Sequence, residues 1–155
     1  MKAVIQRVKR ASVSVEGKTV GSIADGMLIL LGVNKEDTRE TAVLLAEKLA
    51  KMRIFTDANQ KMNLSLLNIG GGALVISNFT LCADIRRGTR PSFDLAMPPK
   101  QADELYEFFC DQLRKNGVEK VEKGVFGADM SVELINDGPV TVSIDTDIWN
   151  KPRNS

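Results

Sequence analysis

The stretch Ala11-Ser12-Val13-Ser14-Val15-Glu16-Gly17, continuing through Lys18-Thr19-Val20-Gly21-Ser22-Ile23-Ala24 to Met27-Leu28-Ile29-Leu30-Leu31-Gly32-Val33, decides the fold class. Ala11, Val13 and Val15 alternate with Ser12, Ser14 and Glu16, the period of a half-buried strand. Gly17 permits a turn, and Lys18 to Ala24 reads as the returning strand. Met27 to Val33 is continuously apolar, which marks a strand buried on both faces. The chain is expected to open as a β-meander.

Beyond this stretch, Asp37 followed by Glu40 offers a helix N-cap and its reciprocal partner, ahead of a stripe of Ala42, Leu45, Ala46, Leu49 and Met52. Arg53-Ile54-Phe55, a turn at Asp57-Ala58-Asn59, and Met62 to Leu66 follow. Gly70-Gly71-Gly72 interrupts the chain before a buried strand, Ala73 to Ser77. These glycines are not followed by Lys-Ser or Lys-Thr, so they make no P-loop. Asp84 to Pro99 is rich in Arg, Gly and Pro and reads as a long ordered loop, a type of segment that often carries function. Pro98 and Pro99 lead into a second helix with Ala102, Leu105, Tyr106, Phe109 and Leu113 on one side and Gly117 as its stop. Val118 to Lys123 is a weak strand candidate. Met130, Val132 and Leu134, and then Val140, Val142 and Ile144, show alternation on either side of Asn136-Asp137-Gly138-Pro139. Two main helices and about seven strands in no strict βαβα order favour α+β over a doubly wound parallel sheet. One domain over residues 1–145 is expected, with 146–155 as a mobile or loosely docked tail.

At 155 residues the chain suits one core, and its 43% hydrophobic and 26% charged residues are ordinary for a globular protein. The longest strongly apolar run falls far short of the roughly 20 residues of a membrane-spanning helix. The basic N-terminus lacks the apolar core of a secretory leader, so a cytoplasmic location is expected. Cys82 and Cys110 lie far apart and form no C-x-x-C pair. Histidine is absent altogether. That removes the usual general base and the commonest metal ligand, so a Ser-His-Asp or Cys-His triad cannot be built. Neither metal nor organic cofactor is expected. The net charge of +1 neither demands nor excludes a polyanionic partner, and Arg86, Arg87 and Arg90 form the notable basic cluster of the long loop.

Two segments carry candidate chemistry. Ser77-Asn78-Phe79-Thr80-Leu81 ends a buried strand with two hydroxyls, an amide and an aromatic ring, the mixture a small polar pocket in an apolar wall requires. On spacing alone a plain strand end accounts for it. Asn136-Asp137-Gly138-Pro139 reads equally as a hairpin turn with Pro opening an edge strand.

Their joint occurrence changes the reading. With Ile5-Gln6-Arg7-Val8, Arg53-Ile54-Phe55, Lys61-Met62-Asn63, Arg87-Gly88, Arg90-Pro91-Ser92-Phe93 and Gly138-Pro139-Val140-Thr141, the chain resembles the D-aminoacyl-tRNA deacylases over essentially residues 1–145. It departs from them at Asn78, where the family usually has Gln. The resemblance implies an α+β, barrel-like, mostly antiparallel sheet with two main helices, in a tight homodimer.

It also implies hydrolysis of the ester of D-aminoacyl-tRNA, and of mischarged glycyl-tRNA, with Ser77, Asn78, Phe79 and Thr80 as the catalytic segment. Gly138 and Pro139 of one subunit, joined in the family by a cis bond, would enter the pocket of the other and reject L-aminoacyl groups. Arg7 would hold that loop by its several fixed donors. Backbone N–H groups near Phe79 and Thr80 would stabilise the oxyanion while water attacks, with Thr80 orienting that water or acting as nucleophile. Arg86, Arg87 and Arg90 are either tRNA phosphate contacts or a solvated loop. The expected partners are D-aminoacyl-tRNA and a second copy, with no membrane. A non-catalytic nucleic-acid-binding protein and a hydrolase of another small ester are the rival readings.

Overall fold

Lys2 to Val15 form one strand, β1, longer than the alternation at Ala11–Glu16 indicates, and the rest of the sheet is built on it. The computed structural model describes residues 1–153. In chain order β1 is followed by β2 (Lys18–Ile23), β3 (Gly26–Gly32), α1 (Arg39–Lys51), β4 (Phe55–Thr56), β5 (Met62–Leu64), α2 (Leu66–Ile69) and β6 (Gly72–Ser77). A 3-10 turn at Phe79–Cys82, α3 (Pro99–Lys115), β7 (Val121–Lys123), β8 (Ser131–Asp145) and a second 3-10 turn at Thr146–Asn150 complete the fold.

The meander expected at the start takes a different form. β2 returns along the second half of β1, but β3 lies against its first half, Lys2–Val8, and both neighbours are antiparallel. β8 covers the opposite edge of β1, also antiparallel. β6 runs parallel to β3 and to β7, with α1 and α3 in the two crossovers. The α+β class holds, in a mixed sheet that nearly closes into a barrel. Where β2 approaches β7, a Cβ on Gly21 would sit 2.7 Å from the Lys123 carbonyl oxygen, so glycine lets the two ends meet.

The apolar run of β3 is explained by burial on both faces. Met27, Ile29 and Leu31, with Ala73 and Val75 of β6, pack against Leu45, Leu49 and Phe109 of the helices. Leu28, Leu74 and Ile76 join Val8, Val13 and Ile23 on the other face. Burying each of these leucines stabilises the fold by roughly 1.5–3 kcal/mol. Tyr106 sits in the helix-side core, donating its hydroxyl to the Val75 carbonyl at 2.7 Å, and burial pushes its pKa well up.

Two local readings are corrected. Asp37 does not cap α1. Its carboxylate turns inward, accepting from the Asn34 N–H at 2.6 Å and from the Met1 amino group, and Thr38 caps the helix in a reciprocal pair with Thr41. A distant partner outcompeted the local cap. Asn136 to Pro139 make no hairpin turn: β8 runs through them as one strand paired to β1, with a register shift. In the tail, Thr146 is buried and its N–H donates to the Met1 carbonyl, while Lys48 lies over the Trp149 ring. Residues 154–155 of that tail lie outside the described residues. Among the described residues no helix is long and apolar enough to cross a membrane.

Candidate active site

β6 ends at Ser77, opposite Leu31 of β3. Asn78 still donates its N–H to the Leu31 carbonyl at 2.8 Å, then leaves the extended conformation and caps the 3-10 turn that follows. Its Oδ1 accepts the Thr80 N–H at 3.2 Å and also the Thr80 hydroxyl. A short Asx side chain suits this task, because it can fold back on backbone two residues ahead. The amide of Asn78 is therefore spent within the motif. Both donors of Thr80 are engaged, so the two N–H groups expected to serve an oxyanion are not equivalent. Among the described residues the Phe79 N–H has no acceptor.

Ser77, Asn78 and Phe79 line the polar corner of a cavity of about 800 Å³. Leu28, Leu30 and Ile76 form its floor, and Met130, Val132 and Leu134 one wall. The other wall is Phe93, Ala96, Met97 and Pro98 of the long loop, with Pro99 and Ala102 of α3. Phe79 is 59% exposed at the mouth and meets Phe93 edge to face, ring centroids 5.0 Å apart. No lining residue is titratable. Within this cavity only uncharged donors and backbone dipoles act on a bound group.

Thr80, Gly138 and Pro139 are exposed and do not line this cavity. The Gly138-Pro139 bond is cis, and the two residues project where β8 bulges away from β1. A single copy thus does not unite them with Ser77–Phe79. Arg7, only 8% exposed, lies behind the loop. Its Nε donates to the Asp137 carbonyl at 2.8 Å, and its Nη1 to the Ile54 carbonyl at 2.7 Å and to Thr56 Oγ1 at 3.3 Å. The guanidinium ties β4 to the residue preceding Gly138.

The three loop arginines separate. Arg86 is held by Asp84 through Nε at 2.9 Å and Nη2 at 2.5 Å, and this guanidinium lowers the Asp84 carboxyl to about 2. Arg87 lies with Asp84, Ser92 and Asp94 around a smaller depression of about 460 Å³. Neither Arg87 nor Arg90 forms an ion pair among the described residues.

Sequence reasoning passed over Gln6 and Asn136. The Gln6 amide lines the cavity and also accepts a hydrogen bond from the Asn136 amide at 2.5 Å. The signal was present: Gln6 and Arg7 are adjacent polar residues in the otherwise apolar run Val4 to Val8.

Fold and site together define a class: small barrel-like α+β proteins with a histidine-free polar corner in an apolar cleft and a clamped Gly-Pro loop. The model of the family described as D-Tyr-tRNA(Tyr) deacylase matches residues 4–145, and the chain belongs to that family. A D-aminoacyl-tRNA deacylase of Koribacter versatilis is 54% identical over 146 residues, 94% of this chain and 97% of that one. One of Chloroflexus aurantiacus is 55% identical over 155 residues, 100% of this chain and 96% of its own. Among solved structures, the c-Myc DNA Unwinding Element Binding Protein superposes with a TM-score of 0.89 at 41% identity, covering 94% of this chain and 98% of that one. A probable eukaryotic D-amino acid tRNA deacylase, 18% identical with a TM-score of 0.78 over 92% of this chain and 97% of its own, shares the fold.

Proposed function

We propose that this protein hydrolyses the ester of D-aminoacyl-tRNA, and that a second copy completes its site. Family membership supports the reaction, and the two bacterial relatives described above carry the name D-aminoacyl-tRNA deacylase. The observation that carries the mechanism is the Ser77–Phe79 corner, which offers one uncommitted N–H in a cavity without a titratable side chain.

The aminoacyl carbonyl binds in that corner and the Phe79 N–H donates to its oxygen. As water attacks the carbonyl carbon, negative charge gathers on that oxygen, where the fixed dipole acts without reorganising. The bond from carbonyl carbon to ribose oxygen then breaks. The proton from water passes to the departing ribose oxygen by way of the neighbouring ribose hydroxyl, leaving free amino acid and tRNA. Thr80, whose hydroxyl is engaged by Asn78, shapes the turn and is not the nucleophile.

Chirality is read by exclusion. The Gly138 and Pro139 carbonyls of the second copy occupy the direction an L side chain would take, so an L group meets fixed backbone and a D group points away. Glycyl-tRNA has no side chain to reject and is cleaved. The apolar floor and walls of the cavity, open in one copy, are what the second copy covers. Arg87 and Arg90, free of ion pairs, contact tRNA phosphates.

The test is release of amino acid from D-tyrosyl-tRNA, L-tyrosyl-tRNA and a simple D-aminoacyl ester. Cleavage of D-tyrosyl-tRNA with sparing of its L counterpart supports the proposal. Equal cleavage of both removes the filter, and RNA binding without cleavage favours the rival reading, a non-catalytic nucleic-acid-binding protein.

A further inference from the structure

β8 leaves the register of β1 in one place. Gln6 faces Thr141 and Val8 faces Asn136, so the short step along β1 is matched by a longer run of β8. Asp137, Gly138 and Pro139 are the surplus. Backbone groups that leave a ladder need other partners, and a bulge of this kind aims residues away from the sheet.

Asn136 supplies those partners. Its Oδ1 accepts the Val140 N–H at 2.8 Å, and its Nδ2 donates to the Val140 carbonyl at 3.1 Å. One side chain thereby closes the base of the loop as a neighbouring strand would. The same Nδ2 donates to Gln6 Oε1 at 2.5 Å, and that oxygen also accepts the Thr141 hydroxyl at 2.5 Å. Gln6 and Arg7 are consecutive on β1, so they point to opposite faces. Arg7 holds Asp137 from one side, while Gln6 and Asn136 close the loop from the other.

We propose that Asn136, braced by Gln6, is a positioning residue for chiral selection: it fixes the height of the Gly138 and Pro139 carbonyls above β8. This rests on the function proposed above. A rejecting wall must be stiff. If the loop can retreat by a fraction of an ångström, an L side chain fits, whereas the D ester never touches that surface and loses little. Asn136 therefore governs the D-to-L ratio more than the rate on D substrate.

The experiment measures kcat/KM for D- and L-tyrosyl-tRNA, with the melting temperature, in the wild type, Asn136→Ala and Asn136→Asp. The Ala variant loses the hydrogen bonds that close the loop, and its D-to-L ratio falls roughly tenfold or more. The Asp variant keeps the acceptor for the Val140 N–H but loses the donor to the Val140 carbonyl, so its ratio falls between the other two. A purely structural role would lower the melting temperature and both rates together, leaving the ratio unchanged. That result, in whichever variant folds, overturns the proposal. A wild type that is itself unselective overturns the proposed function instead.

Discussion

Arg7→Lys tests the clamp behind the Gly-Pro loop with the smallest change of charge. The guanidinium reaches the Asp137 and Ile54 carbonyls simultaneously, at 2.8 and 2.7 Å, from separate nitrogens. A lysine ammonium is a single point on a flexible stem and cannot span both. One carbonyl loses its charged donor in a site only 8% exposed. Leaving a buried acceptor without a partner costs about 1–3 kcal/mol. At this chain length each kcal/mol lowers Tm by roughly 2–4 °C. The functional effect is larger in kind: freed at Asp137, the loop recoils from an L side chain, and the D-to-L ratio of kcat/KM falls while the D rate holds. Thermal unfolding and paired D- and L-tyrosyl-tRNA assays read the two effects separately. A variant that melts with the wild type and remains as selective would refute the clamp.

Other outcomes follow from the same geometry. Gly138 has φ +147°, and a Cβ there would lie 2.7 Å from the Val140 nitrogen and 3.3 Å from Arg7 Nη2. Gly138→Ala is thus expected to cost about 1–3 kcal/mol by chemical denaturation and to erode selectivity. The salt dependence of tRNA binding should flatten by about one phosphate contact on neutralising Arg87 or Arg90, and less on neutralising Arg86, already held by Asp84. Burial raises the Cys82 thiol and pushes Cys110 up to about 12. Because the thiolate is the reactive form, a thiol reagent at pH 8 should label neither cysteine until the protein is denatured.

Much of the fold was legible because its signals were local. The unbroken run Met27–Val33 declared a strand covered on both faces, and the stripe Ala42 to Leu49 declared a helix face. Asp37 misled because its carboxylate found Met1, which the spacing to Glu40 could not disclose. The Asn136–Pro139 segment misled for a related reason. Asn-Asp-Gly-Pro has the composition of a turn, yet long-range bonds from Gln6 and Arg7 hold it within a strand. The polar corner was visible as residue types in Ser77 to Thr80. Which N–H remained uncommitted depended on how Asn78 folds back, a matter of geometry rather than composition.

The central claim, a backbone wall supplied by one copy to the cavity of another, is tested most directly by mixing two defective variants. Gly138→Ala impairs the loop but leaves the corner, and Phe79→Pro deletes the uncommitted N–H but leaves the loop. In a mixed dimer one cavity pairs an intact corner with an intact loop. On random exchange half of the intact corners come to face an intact loop, so L-tyrosyl-tRNA hydrolysis should fall to about half the sum of the separate variants while D-tyrosyl-tRNA hydrolysis holds. A mixture that shows only the sum of its two components would contradict the account.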